Sequence, residues 1–102
     1  MIRKRLRAVA GLVERFEFIA GANPGAAARF VDALEATLRR LEKMPKLGRA
    51  WGPPGTPLAE IRIRAVKGFE NYVVYYRPIP DGIEWLAVRH VAQDDPDTTD
   101  FE

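Results

Sequence analysis

Apolar residues recur along this chain with two periods, first of three to four residues and then of two. From Ala8 onward, Val9, Leu12, Val13, Phe16, Ile19 and Ala20 fall at spacings of three and four, which predicts one stripe of an amphipathic helix. Gly11 interrupts it at a cost of about 1 kcal/mol relative to alanine if exposed, and Gly21 stands where a C-terminal cap is wanted. Asn23-Pro24 then pairs a capping side chain with a proline suited to the first helical position. The second helix runs through Ala26, Ala27, Phe30, Val31, Leu34, Leu38 and Leu41 to about Met44, where Pro45 ends it. With so short a connection the two helices must fold back as an antiparallel hairpin, each needing a surface for its apolar stripe.

The period then changes. Lys46 to Leu58, KLGRAWGPPGTPL, is a Gly/Pro loop containing Trp51, which is either a plug closing one end of the core or a partner contact. Ile61, Ile63 and Ala65 alternate with Arg62, Arg64 and Val66, predicting a strand with basic side chains on one face. From Gly68 to Asp94, two runs rich in β-branched and aromatic residues, Tyr72 to Tyr76 and Ile83 to Val88, flank Pro78, Pro80, Asp81 and Gly82 and predict an antiparallel hairpin. Met1 to Arg5 is a brief edge strand or a disordered lead-in. The expected architecture is α+β, (β)ααβββ: an N-terminal antiparallel helical hairpin on a three- to four-stranded, mostly antiparallel sheet.

Composition narrows the class. At 102 residues, 47% hydrophobic and 29% charged, the chain is expected to form one domain over 1–102, with 95–102 a flexible acidic tail. The last ten residues, QDDPDTTDFE, hold five acidic side chains. They are either a solvated tail or a segment that folds onto the basic half or a second chain through Phe101. No apolar run approaches the roughly 20 residues of a spanning helix. Glu14, Arg15 and Glu17 break the stretch after MIRKRLRAVAG, so no signal peptide is indicated, and with no cysteine in the chain a cytoplasmic location is expected. The net charge of +2 conceals an asymmetry: residues 1–64 hold 13 Lys/Arg against 6 Asp/Glu, and residues 65–102 hold 3 against 8. A basic half suits an acidic partner, either nucleic acid or polypeptide.

Most catalytic chemistries find no foothold. One histidine and no cysteine argue against a metal site. GPPG at 52–55 lacks the lysine of a phosphate-binding loop, and the absence of serine rules out a serine hydrolase. What remains is a set of basic and polar groups on adjacent strands: Arg62, Arg64, Lys67, Arg77, Arg89 and His90, with Tyr75 and Tyr76. Such a set either binds a phosphodiester backbone, with His90 as an acid or base, or is a solvated strand face with a structural histidine.

Four segments in order, RLRA with FIA (5–8 and 18–20), NPGAAARF (23–30), LEKMPKLGR (41–49) and GFENYVVYYRPIPDGIEW with RHVAQD (68–85 and 89–94), resemble the RelE/ParE superfamily of toxins from type II toxin–antitoxin modules, and its ParE-like branch most. Where the resemblance leads one to expect a last strand like RVLHGARD, Ala87 and Gln93 replace its two arginines and Arg89 adds another. The resemblance implies a toxin that poisons DNA gyrase, causes growth arrest, contributes to plasmid stabilisation and is neutralised by a cognate ParD-like antitoxin with a C-terminal segment that folds on binding. No cofactor is implied. The alternatives on the same fold are a ribosome-dependent mRNA endonuclease, with Arg64, Arg77 and His90 as its catalytic candidates, or a non-toxic partner-binding relic. For partner binding the candidates are Arg62, Arg64, Arg77, Arg89, Trp51 and Trp85, with Phe16, Phe30 and Leu34 as further apolar residues whose more ordinary role is core packing.

Overall fold

In the computed structural model, which describes residues 1–92, strand β1 (Ile2–Lys4) leads into helices α1 (Leu6–Ala22) and α2 (Pro24–Lys43). Strands β2 (Arg49–Ala50), β3 (Arg62–Val66), β4 (Phe69–Ile79) and β5 (Gly82–His90) follow, with a short 3-10 helix at Pro57–Glu60 before β3. The Asn23 side chain accepts a hydrogen bond from the Ala26 amide at 3.1 Å, so the helix start signalled by Asn23-Pro24 forms as expected. Among the described residues no helix is long and apolar enough to cross a membrane. The acidic tail expected over 95–102 lies outside the described residues.

The five strands form one sheet in the order β1-β5-β4-β3-β2. Neighbours are antiparallel except β1, which lies parallel to β5 with Ile2 opposite Ile83 and Lys4 opposite Trp85. This sheet has one strand more than the sequence pattern leads one to expect. The extra strand, β2, is only two residues long inside the Gly/Pro loop, too short to show any period. It pairs with Arg62 and Ile63 alone, so among the described residues the outer edge of β3 from Arg64 to Val66 has no strand beside it.

Both faces of the sheet carry a core. On the helix side Phe30, Leu34, Leu38 and Leu41 of α2 pack with Val66, Tyr72, Val74, Tyr76, Ile83, Trp85 and Val88. On the other side Ile61, Ile63, Tyr75 and Leu86 form a smaller cluster roofed by Trp51 and Leu58. A bulge in β5 separates the two sets: Tyr75 faces Ala87 and Tyr76 faces Trp85, so Leu86 is the extra residue and turns outward while Trp85 turns toward the helices. Strict alternation along this strand would put Leu86 on the same face as Val88 and His90; the bulge puts it on the other. Gly82 is needed at the β4–β5 turn, where φ is +155° and any β-carbon would overlap the Met1 carbonyl beside it.

The predicted stripe of α1 is split. Ala8 is buried, and Leu12 and Ile19 pack against the core, whereas Val9, Val13 and Phe16 stay exposed beside Leu6 and Phe18. A stripe of six apolar residues spans more arc than the sheet and α2 together cover.

Candidate partner-binding surfaces

On β3, Arg62 and Arg64 project from the helix-side face, opposite Tyr76 and Val74 of β4. Their roles diverge. The Arg62 guanidinium donates to the Gly48 carbonyl at 2.6 Å and to the Lys46 carbonyl at 3.4 Å, holding the loop that leaves α2. Tyr76 pins the same loop, since its hydroxyl donates to the Pro45 carbonyl at 2.7 Å and accepts from the Gly48 amide at 2.8 Å. Burial raises the pKa of this phenol above its ordinary value, against the opposing pull of the Gly48 amide and the Arg62 and Arg64 charges, so Tyr76 is a fixed neutral prop near neutral pH. Arg64, two residues on, makes no hydrogen bond or ion pair among the described residues and is exposed.

Arg64 stands at the rim of a groove of about 230 Å³ between α2 and the uncovered edge of β3. Ala33, Ala36, Thr37 and Leu41 of α2 form one wall, Ala65 the other, and Leu47 closes the end. The Thr37 hydroxyl donates back to the Ala33 carbonyl at 2.9 Å, so its one proton is engaged within the helix and the groove floor is mainly apolar. Arg40, Arg64 and Lys67 line the same groove, all three exposed and with no side-chain hydrogen bond or ion pair among the described residues. The periodicity of neither segment reveals this meeting, because Arg40 belongs to a helix and its two companions to a strand and a turn more than twenty residues later.

On the opposite face Arg77 and Arg5 converge on Glu84. Arg77 Nε donates to one carboxylate oxygen at 2.6 Å and Arg5 Nε to the other at 3.2 Å. Burial works to raise the pKa of Glu84, but the hydrogen bonds and charges of the two arginines outweigh it and hold the carboxyl below its ordinary 4.5. A lowered folded pKa contributes stability that is complete above the unfolded value and is lost as pH falls through the folded one. Glu84→Gln should therefore melt below the parent at pH 7, by the equivalent of about 1–3 kcal/mol, and the gap should narrow in melts recorded below pH 4.5. A gap that is constant across that range would remove the charge from this account.

The remaining candidates lie apart. Trp51 sits edge-on to Tyr75, ring centroids 5.4 Å apart, and is half-buried over the outer cluster. Trp85 is 1% exposed in the helix-side core, with its indole N–H donating to the Ala87 carbonyl at 2.9 Å. Arg89 pairs with Val73 on the outer face. His90 lies edge-on to Tyr72 at 5.0 Å, and its Nδ1 accepts from the Ala92 amide at 3.0 Å. Arg64 and His90 thus share the helix-side face but have β4 between them, while Arg77 is on the other face near the opposite end of β5. These three do not converge on one point. Phe30 and Leu34 are fully buried, whereas Phe16 is 40% exposed. Among the described residues no group of three or more His, Cys, Asp or Glu is placed to hold a metal ion.

Comparison with known proteins fits this architecture. No curated protein matches the chain. Among solved structures, a chain described as "Chromosomal ParDE TA system from P. aeruginosa" superposes with a TM-score of 0.68 at 17% sequence identity, covering 87% of this chain and 92% of the other. At that identity the likeness establishes the fold, two helices laid on a mixed sheet. The sequence itself matches a family model over residues 2–95, nearly its whole length, and the model is that of the ParE toxin of the parDE type II toxin–antitoxin system. The chain belongs to the ParE toxin family of type II toxin–antitoxin systems.

Proposed function

We propose that this protein poisons DNA gyrase and is silenced by a cognate ParD-like antitoxin, whose acidic and apolar C-terminal segment folds as it enters the groove between α2 and β3. One observation carries the antitoxin half of this reading: an apolar floor beside a strand edge that no other described strand covers, rimmed by Arg40, Arg64 and Lys67, whose side chains make no ion pair among the described residues. An extended segment gains main-chain hydrogen bonds at such an edge, places apolar side chains on the floor and meets its carboxylates at the rim. Ordering a disordered segment costs free energy, and a groove that needs no rearrangement limits that cost to the incoming chain.

For the target, the separation of Arg64, Arg77 and His90 over two faces of the sheet favours a poison that binds over a nuclease that cleaves. General acid–base catalysis needs its groups within hydrogen-bond reach of one reacting centre. The protein then acts in the cytoplasm by occupying gyrase.

Induced expression should stop growth with a DNA-damage response and intact mRNA, and the purified protein should inhibit gyrase supercoiling in a dose-dependent manner. Transcripts cut only during translation would replace this reading with the nuclease. Harmless expression together with tight antitoxin binding would leave a partner-binding relic.

A further inference from the structure

We propose that α1 is a self-association surface, through which two copies of this chain pair by antiparallel packing of α1 on α1 about a two-fold axis. The pairing is independent of the gyrase and antitoxin assignments above.

Leu6, Val9, Val13 and Phe16 follow one another at spacings of three, four and three, the spacing of seam positions in a helix pair. Among the described residues they stay open: Leu6 is 89% exposed, and Val9, Val13 and Phe16 are 39%, 49% and 40% exposed. A contiguous apolar run of this kind marks a surface that another molecule covers. The charges beside it select the occupant. Arg7 and Glu14 are both exposed and stand about two turns apart, so they lie on one line along the same flank of the stripe, with Glu17 a further turn on. With Leu6 of one copy opposite Phe16 of the other, and Val9 opposite Val13, the axis passes at the level of Gly11. Arg7 then meets Glu14 of the second copy, and the same contact recurs across the axis. A parallel pair would instead set Arg7 against Arg7 and Glu14 against Glu14. Arg15, the other cation of α1, lies two turns after the buried Ala8 and so on the core side. An acidic partner segment fits this flank poorly, because Glu14 and Glu17 repel it. A second copy brings its own Arg7. Ala10, exposed and small, stands next to the axis and lets the two backbones approach. The stripe from Leu6 to Phe16 is about 15 Å long, so pairing buries on the order of 1,000 Å² in all, the size of a weak, reversible contact.

Sedimentation velocity of the full chain from about 5 to 500 µM should show a monomer turning into a dimer, with a midpoint on the order of 100 µM. Val13→Glu places a carboxylate in the seam of both copies and should leave the protein monomeric over that range with its melting temperature unchanged. Arg7→Glu and Glu14→Arg should each weaken self-association about tenfold, since each reverses two exposed pairs in the dimer. An equimolar mixture of those two variants should dimerise as well as the parent, because opposite charges again meet at both contacts. A parent that stays monomeric at the highest concentration overturns the proposal, and if Val13→Glu then loses antitoxin binding, the stripe belongs to the antitoxin instead. A dimer that survives Val13→Glu overturns it as well. So do charge variants that gain nothing on mixing, since the two helices would then pair elsewhere or in another direction.

Discussion

Trp85→Ala should lower folding stability by about 3–5 kcal/mol, the usual cost of removing a buried large aromatic side chain. For a domain of this size that is a fall in melting temperature on the order of 15–30 °C. The indole is packed between α2 and the sheet with Phe30, Leu34 and Tyr76 in the same core, and its N–H is satisfied by the Ala87 carbonyl. Truncation opens a cavity and also removes one of the contacts that ties the β5 bulge to the helices. Because marginal domains have only about 5–15 kcal/mol in total, loss of toxicity in this variant reports on folding and says nothing about a partner contact. Trp51→Ala is the informative companion, since that ring covers only the outer cluster and is half-buried. Its melting temperature should fall much less, by the equivalent of about 1 kcal/mol for partial burial of an aromatic ring. Thermal melts of the two variants side by side decide the matter, and equal shifts would refute the division of the core into a large helix-side cluster and a small outer one.

Reversing the rim of the groove should act in the opposite way, on binding and not on folding. Arg40→Glu, Arg64→Glu and Lys67→Glu together should weaken antitoxin binding about 100-fold or more, since three attractions are replaced by three repulsions at about 1 kcal/mol or less for each exposed pair. The melting temperature of the variant should remain close to that of the parent, because none of the three side chains makes a hydrogen bond or ion pair among the described residues. Arg62→Glu provides the contrast: it lies two residues from Arg64 on the same strand face, but its loss removes the bonds to Gly48 and Lys46 and should destabilise the loop after α2. Calorimetric titration at two salt concentrations reads both the affinity and its electrostatic share. Undiminished affinity in the triple variant would place the antitoxin elsewhere on the toxin, and the exposed stripe of α1 would be the next surface to test.

Local signals in the sequence translate directly into structure where the cause is itself local. Asn23-Pro24 starts α2 because one side-chain oxygen meets one amide three residues on, and Asp81-Gly82 turns the last hairpin because glycine accepts a conformation closed to other residues there. Ile61, Ile63, Arg62 and Arg64 divide between the two sheet faces as a period of two dictates. The features that escape such reading have distant causes. Leu86 changes face because β5 carries one residue more than β4 opposite it, a mismatch that appears only when the strands are paired. The α1 stripe divides because the sheet and α2 leave part of its arc uncovered. Arg62 and Arg64 look equivalent along the chain, and only the return of Lys46 and Gly48 past one of them separates a loop fastener from a rim cation. Glu84 gives a faint hint as a carboxylate inside an otherwise apolar run, but its two arginine partners come from β4 and from the residue before α1.

The parallel pairing of β1 with β5 also bears on how the molecule comes into being. Ile2 lies against Ile83 and Lys4 against Trp85, so β1 docks on the strand most distant from it in sequence among the described residues. Contacts so distant in sequence must wait for a large loop to close, which slows folding. On the ribosome, β1 must wait until the hairpin beyond Gly82 has emerged, and β5 also supplies Ile83, Trp85 and Val88 to the helix-side core. A nascent or prematurely terminated chain that stops short of this hairpin therefore lacks both the neighbour of β1 and one wall of its core. Such fragments are expected to be substrates for proteolysis, and assembly of the sheet waits until the hairpin beyond Gly82 is available.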